Sequence, residues 1–308
     1  MSEARGDYAL CGWRVASALP LPDLSHWSGD ARAPDVTIAF GAVPAMAEPV
    51  LETALVQIDA AGRARFAINS VADFLVEEGA RITVAPRPGV ADSEIRLFLL
   101  GSGLGFLCHQ RGVLPLHAGS VIIDGTAICF AGASGSGKST LADAFARRGF
   151  PVLSDDVSPI AIEGTGARVL PSLRRIRLWG DALANAGWPP NEVERCRVGL
   201  EKFSRSLHAA PAPEAVVPGA ILHLRALDPG DAGPRFTRLR GRHAVEQFRR
   251  QVYRWRSLTG MIGVPAAMAR VAAAAAAFPL HYTLDRPFEF GALDTLIDDV
   301  VDTVRAAR

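Results

Sequence analysis

Residues 132–140 read Gly-Ala-Ser-Gly-Ser-Gly-Lys-Ser-Thr and fit the spacing G-x-x-x-x-G-K-[ST] in full. Gly132, Gly135 and Gly137 let the backbone turn its N–H groups inward without Cβ clashes. With Ala133, Ser134, Ser136 and Thr140 they form a loop of the kind that cradles nucleotide phosphates, a P-loop. Lys138 supplies a point charge toward the β- and γ-phosphates, and Ser139 offers a hydroxyl to Mg²⁺. A helix starting here would aim its positive N-terminal end at the same anion.

A second set of candidates follows. Phe150–Leu153 is a short apolar run that ends in Ser154, Asp155 and Asp156. Paired carboxylates beside a P-loop can divide two roles: one holds Mg²⁺, the other accepts a proton from an attacking hydroxyl. Aspartate is also common where a strand simply turns. His117 opens the strand that precedes the P-loop strand. Lys202, Arg205 and the arginines of 174–177 could reach a phosphate from loops, but each alone reads as a solvated charge.

The elements that must position these groups are legible. Thr126–Ala131 is apolar and short, as a buried strand should be, and Leu141, Ala142, Phe145 and Ala146 fall at helical spacing. Gly149 is placed to end that helix. Leu116–Ile123 and Thr126–Ala131 flank Asp124-Gly125, a strong two-residue hairpin signal, so an antiparallel partner precedes the P-loop strand. Downstream, 167–179 reads as one or two strands, 181–186 as a short helix, 187–216 as a long polar loop, and 219–224 as a strand. Helices are expected at 242–256 and 264–277, a last strand at 281–284, and a closing helix at 291–308.

Residues 1–90 read as a separate β-rich unit with no cluster of catalytic residue types. Its runs, such as Val36–Phe40 and Arg81–Ala85, are bounded by Pro, Gly and Asp, and Pro86–Gly89 reads as a linker. Ser93–Arg111 has a helical pattern. Its most apolar part, Leu97–Cys108, is shorter than the roughly 20 residues a bilayer needs and is expected as a buried helix beneath the nucleotide-holding part.

Bulk properties narrow the classes. The 308 residues carry a net charge of +1, so nothing global favours nucleic acid or a membrane surface. The arginine pairs 147–148, 174–175 and 249–250 read as solvated faces. The four cysteines, at 11, 108, 129 and 196, have neither C-x-x-C nor metal-ligand spacing, which suits a reducing compartment. Cys129 is expected as a small buried apolar residue. The first seven residues have no signal-peptide character, and a cytoplasmic location is expected.

Three segments together carry a family resemblance: Leu116-His-Ala-Gly-Ser-Val-Ile-Ile-Asp-Gly, the P-loop, and Arg-Arg-Gly-Phe-Pro-Val-Leu-Ser-Asp-Asp-Val. Over about residues 113–158 the chain resembles the catalytic domain of HPr kinase/phosphorylase, and more specifically the HPr-kinase-related serine kinases of bacteria. The opening Tyr8–Pro22 is similar to the N-terminal region of the related kinases. The resemblance implies an α/β fold: residues 91–308 as a P-loop kinase domain of the HPr kinase/phosphoenolpyruvate carboxykinase type, and residues 1–90 as an N-terminal β-rich accessory domain. It implies ATP and Mg²⁺, with Lys138 and residues 132–140 on the nucleotide, Asp155 as base, Asp156 and Ser139 on the metal, and His117 near the carboxylates. The Glu-Val-Arg-Gly-Leu-Gly-type signature of HPr kinases is absent; the corresponding region reads Leu-Arg-Arg-Ile-Arg-Leu-Trp from Leu173 to Trp179. HPr is therefore a less favoured acceptor, and reverse phosphorylase activity is not implied. Some divergent relatives phosphorylate a serine on ribosomally made peptides, including lasso peptides, and the chain looks more like that group. HPr kinases are hexamers, so a homo-oligomer is a further expectation. A kinase for a small metabolite and a non-catalytic nucleotide-dependent scaffold remain as alternatives.

Overall fold

The Asp124-Gly125 dipeptide makes the turn its sequence calls for. Both residues have positive φ, 46° and 76°, the type I′ requirement, and strands Ala118–Ile123 and Thr126–Ala131 pair antiparallel across it. The computed structural model describes residues 6–164, 166–196, 199–207, 214–227, 233–287 and 289–307. The N-terminal residues 1–5 of the segment read as lacking a leader lie outside the described residues, as do parts of the segment 187–216.

The chain is mixed α/β and divides into two compact units: Met1–Pro115 with Tyr253–Arg270, and Leu116–Val252 with Val271–Arg308. The division falls at Pro115/Leu116 rather than at residue 90. The reason is the helical stretch after the linker. It runs as Asp92–Phe98, a π-helical turn Leu99–Gly103, and Leu104–Gln110. Its apolar side packs on the first unit's own sheet. Phe106 meets Phe66, which stacks on Phe74 at 4.4 Å, and the Gln110 amide donates to the carbonyls of Gly62 and Val76. That sheet has nine strands, in the spatial order 25–26, 6–10, 13–17, 36–40, 81–86, 72–77, 64–68, 56–58 and 51–52. The alternating patterns at 36–40 and 81–86 are what a sheet with one buried face requires.

The second unit is built on a six-stranded mixed sheet, in the order 152–154, 118–123, 126–131, 217–226, 280–286, 235–238. The 126–131 strand is antiparallel to its hairpin partner and parallel to 217–226, which in turn is parallel to 280–286. The central strands read as near-continuous apolar runs because both faces are covered. On one face lie the helices Lys138–Arg147 and Leu293–Ala306, whose Phe145 and Val300 join Phe130, Leu222 and Tyr282 in one core. The fully buried Phe145 stacks on Phe130 at 5.2 Å and meets the edge of Phe150 at 5.2 Å.

Two expectations fail here. The loop expected over 187–216 holds a short strand pair, Glu194–Arg195 and Lys202–Ser206, which joins Arg175–Trp179 in a three-stranded antiparallel sheet. The arginine pair 174–175, read as solvated, is buried, because the chain folds back over it to form that sheet. Among the described residues no helix is long and apolar enough to cross a membrane.

Removing the Phe145 ring leaves a cavity between the P-loop helix and the sheet. Phe145→Ala should cost about 3–5 kcal/mol in urea unfolding, and a loss under 1 kcal/mol would contradict the packing described.

Candidate functional site

The P-loop connects the end of strand Thr126–Ala131 to helix Lys138–Arg147, as its sequence order requires. Gly137 stands at the helix N-cap with φ 82° and ψ 21°, a left-handed conformation that glycine adopts without a Cβ penalty. A Cβ on Gly132 would lie 2.9 Å from the backbone oxygen of Leu224 on the adjacent parallel strand, so the loop can leave the sheet there only as glycine. Arg286, at the end of the neighbouring strand, is 3% exposed and donates to the carbonyl of Ser136 at 2.8 Å. It braces the loop from below, and no local sequence signal pointed to it. Lys138 donates from Nζ to the carbonyls of Gly132 and Ala133, both at 2.9 Å. Burial lowers its pKa, while Asp156 and Asp155 oppose that shift.

The carboxylate pair follows strand Val152–Ser154, the antiparallel neighbour of the hairpin. The two carboxylates have different surroundings. Asp155 is 3% exposed and accepts the backbone N–H of Arg177 at 2.9 Å through Oδ2. Its Oδ1 is buried without a hydrogen-bond partner among the described residues. Burial pushes its pKa up to about 6; the Arg177 N–H and the nearby Ser139 hydroxyl pull the other way, and Asp156 adds to the rise. Asp156 is more open. One oxygen lies 3.3 Å from an Arg177 guanidinium nitrogen and the other 3.5 Å from His117 Nδ1. His117, whose backbone N–H donates to Gln251, has its pKa lowered by burial and by Lys138, with Asp156 opposing that shift.

These groups converge on one cavity of about 440 Å³. Ser134, Gly135, Gly137, Lys138, Ser139 and Thr140 form one wall. His117, Asp156 and Arg177 form another, and Trp179, Lys202 and Phe290 complete the rim. Asp155 is not on the wall but behind it, next to Ser139. The family resemblance implied a base role for Asp155 and a metal role for Asp156; of the two, Asp156 is the one that lines the cavity. Arg205 points elsewhere, packing its guanidinium over the Trp188 ring and toward Glu192. Cys129 is buried in the P-loop strand, its thiol pushed up to about 12 by burial, as a small apolar residue would sit.

The donors suit a hard divalent cation. Among the described residues there is no cluster of three or more His, Cys, Asp or Glu side chains that could hold a metal by itself. Mg²⁺ instead takes one or two protein oxygens and completes its shell with water and substrate phosphates. The hydroxyl of Ser139, on the cavity wall, is such an oxygen, and the buried Asp155 carboxylate lies next to it.

No family model and no curated protein matches the chain. Among solved structures it is similar to the Hpr(Ser) kinase/phosphatase from Coxiella burnetii, at 13% identity and a TM-score of 0.33, over 62% of this chain and 96% of that one. At that TM-score the likeness adds nothing to the chemistry of the cavity.

Asp155 carries a measurable cost. A carboxyl whose folded-state pKa is raised from 3.8 to about 6 favours folding only below its unfolded pKa, and that contribution is lost as pH rises through the folded value. Asp155→Asn should therefore stabilise the metal-free protein at pH 7 by up to about 3 kcal/mol. The gain should shrink as pH falls through 6 and nearly vanish by pH 4, read by thermal melts across that range. An equal gain at every pH would contradict a buried, proton-hungry carboxyl.

Proposed function

We propose that the protein is an ATP- and Mg²⁺-dependent kinase that transfers the γ-phosphoryl group to a serine hydroxyl of a peptide or small protein. The observation that carries this reading is the meeting, in one cavity, of a complete P-loop with an open carboxylate–imidazole pair, Asp156 and His117. A loop of inward N–H groups plus Lys138 binds a triphosphate, and a carboxylate on the facing wall is what an acceptor hydroxyl needs to lose its proton.

The roles divide as follows. The P-loop amides and Lys138 hold the β- and γ-phosphates; with nucleotide bound, the Lys138 ammonium exchanges its two loop carbonyls for phosphate oxygens. Ser139, with Asp155 next to it, would hold Mg²⁺, which would supply positive charge to offset that of the phosphates. Asp156 accepts the acceptor's proton, while His117 and Arg177 fix its orientation. This assigns the two aspartates oppositely to the family resemblance, because a base must lie within hydrogen-bond reach of its substrate and Asp155 is screened from the cavity. The serine and the peptide come from the sequence resemblance to kinases of ribosomally made peptides, a lasso-peptide precursor being the favoured acceptor and HPr the less favoured one.

Lys138→Ala should abolish ATP binding. Asp156→Asn should keep ATP·Mg²⁺ affinity and lose transfer by about 10²–10⁴-fold. The assay is intact-mass measurement of a lasso-peptide precursor, its mature form and HPr after incubation with protein, ATP and Mg²⁺. The expected result is a phosphoryl-sized gain on a peptide serine, absent with Lys138→Ala. ATP binding with no gain on any acceptor would contradict the peptide-kinase reading.

A further inference from the structure

Two lysines face the cavity, and the mechanism so far uses one. Lys202 begins the strand Lys202–Ser206, and its register partner on the neighbouring strand is Trp179. Residues directly opposite in an antiparallel pair project from the same face with close Cβ atoms. The Lys202 ammonium accordingly sits over the Trp179 ring, 5.5 Å from its centroid, within the range of a cation–π contact. The backbone N–H of Gly180 donates to the carbonyl of Glu201 at 3.0 Å and closes the end of this strand pair, so the register is fixed where it matters. Trp179 is 44% exposed, unusual for a residue of its size, and both side chains line the cavity.

The other charged groups on the wall are committed. Arg177 faces Asp156, and Asp181 accepts the N–H of Ala182 at its own helix start. Lys202 has no carboxylate within ion-pair distance among the described residues. Its charge is felt across the cavity, since it lowers the pKa of both Lys138 and His117. A second cation brought toward a P-loop lysine is unfavourable until an anion lies between them. A transferring phosphoryl group, flanked by the P-loop on one side and the acceptor on the other, is that anion.

We propose that Lys202 is a catalytic residue that donates to the γ-phosphoryl oxygens during transfer, and that Trp179 is the positioning residue that holds it there. This rests on the phosphoryl-transfer reading above. In that step the acceptor oxygen forms a bond to the γ-phosphorus, and the bond from that phosphorus to the β,γ-bridging oxygen breaks. The bonding pair leaves with ADP, and the hydroxyl proton passes to Asp156. Lys202 neither gains nor loses a proton; it offsets charge on the three equatorial oxygens.

The test needs no acceptor. Affinities of the full chain are measured for AMPPNP·Mg²⁺, a ground-state mimic, and for ADP·AlF₄⁻·Mg²⁺, a mimic of the phosphoryl group in flight. Lys202→Met should weaken the fluoroaluminate complex by about 10²-fold while leaving AMPPNP within about threefold, since only interactions stronger in the transition state accelerate chemistry. Lys202→Arg should restore part of the loss. Trp179→Phe should keep most of the fluoroaluminate affinity, and Trp179→Ala should lose much of it. Equal fluoroaluminate affinity in wild type and Lys202→Met overturns the role of Lys202 and leaves the kinase reading standing. Wild-type protein that binds neither nucleotide complex overturns the kinase reading, and the role of Lys202 with it.

Discussion

The site depends on strand register in the second unit's sheet. Ala118 pairs with Ala131, so His117 and Gly132 leave the sheet at the same level. Ser120 pairs with Ser154, which brings the following aspartates alongside the P-loop. Beneath them a buried network of three hydroxyls locks that level. Ser120 and Ser154 lie 2.9 Å apart, Ser154 and Ser158 2.7 Å, and Ser158 also donates to the Ala118 carbonyl at 2.9 Å. Buried hydroxyls that satisfy one another fix a single arrangement, because a one-residue slip would strand all three without partners. Phosphate loop, histidine and carboxylates are thus set by one pairing rather than by separate loops.

Electrostatic tension is the second constraint. The cavity holds Lys138, Arg177 and Lys202 with Asp156 and Asp181 on its wall, and Asp155 behind it. Two buried charges are imperfectly compensated. Lys138 is held by two carbonyls rather than by an anion, and Asp155 has one oxygen without a hydrogen bond among the described residues. Burial opposes the charged form of both. On the proposed reading, a triphosphate with a divalent cation would supply a partner of each sign. The Trp179 face serves the same end, holding a cation at the rim without neutralising it.

Much of this was legible in the sequence where the signals are local. The Asp124-Gly125 turn, the apolar strand before the P-loop, the helix after it and the aspartate pair all follow from residue type over a few positions. What escaped depends on distant pairing. Lys202–Ser206 reads Lys-Phe-Ser-Arg-Ser, too polar to announce a strand, and it becomes one only by pairing with Arg175–Trp179 more than twenty residues earlier. Lys202 and Trp179 were therefore invisible as a pair, and Arg174 and Arg175 could not be told from solvated arginines. The helical stretch 92–110 is tied to the first sheet by contacts between residues far apart in sequence, among them the Phe66–Phe106 contact and the Gln110 bonds, which residue type over a few positions does not reveal. Burial also separated two adjacent aspartates that residue type alone cannot tell apart.

The most direct measurement is a crystal structure of the protein with AMPPNP and Mg²⁺. The account predicts the triphosphate in the P-loop, Lys138 within about 3 Å of γ-phosphate oxygens, Lys202 on the cavity wall facing the γ-phosphate without a direct contact, the metal on Ser139 with Asp155 behind it, and Asp156 left facing the open side of the γ-phosphate. A nucleotide bound elsewhere, or one whose γ-phosphate points away from Asp156, would contradict it.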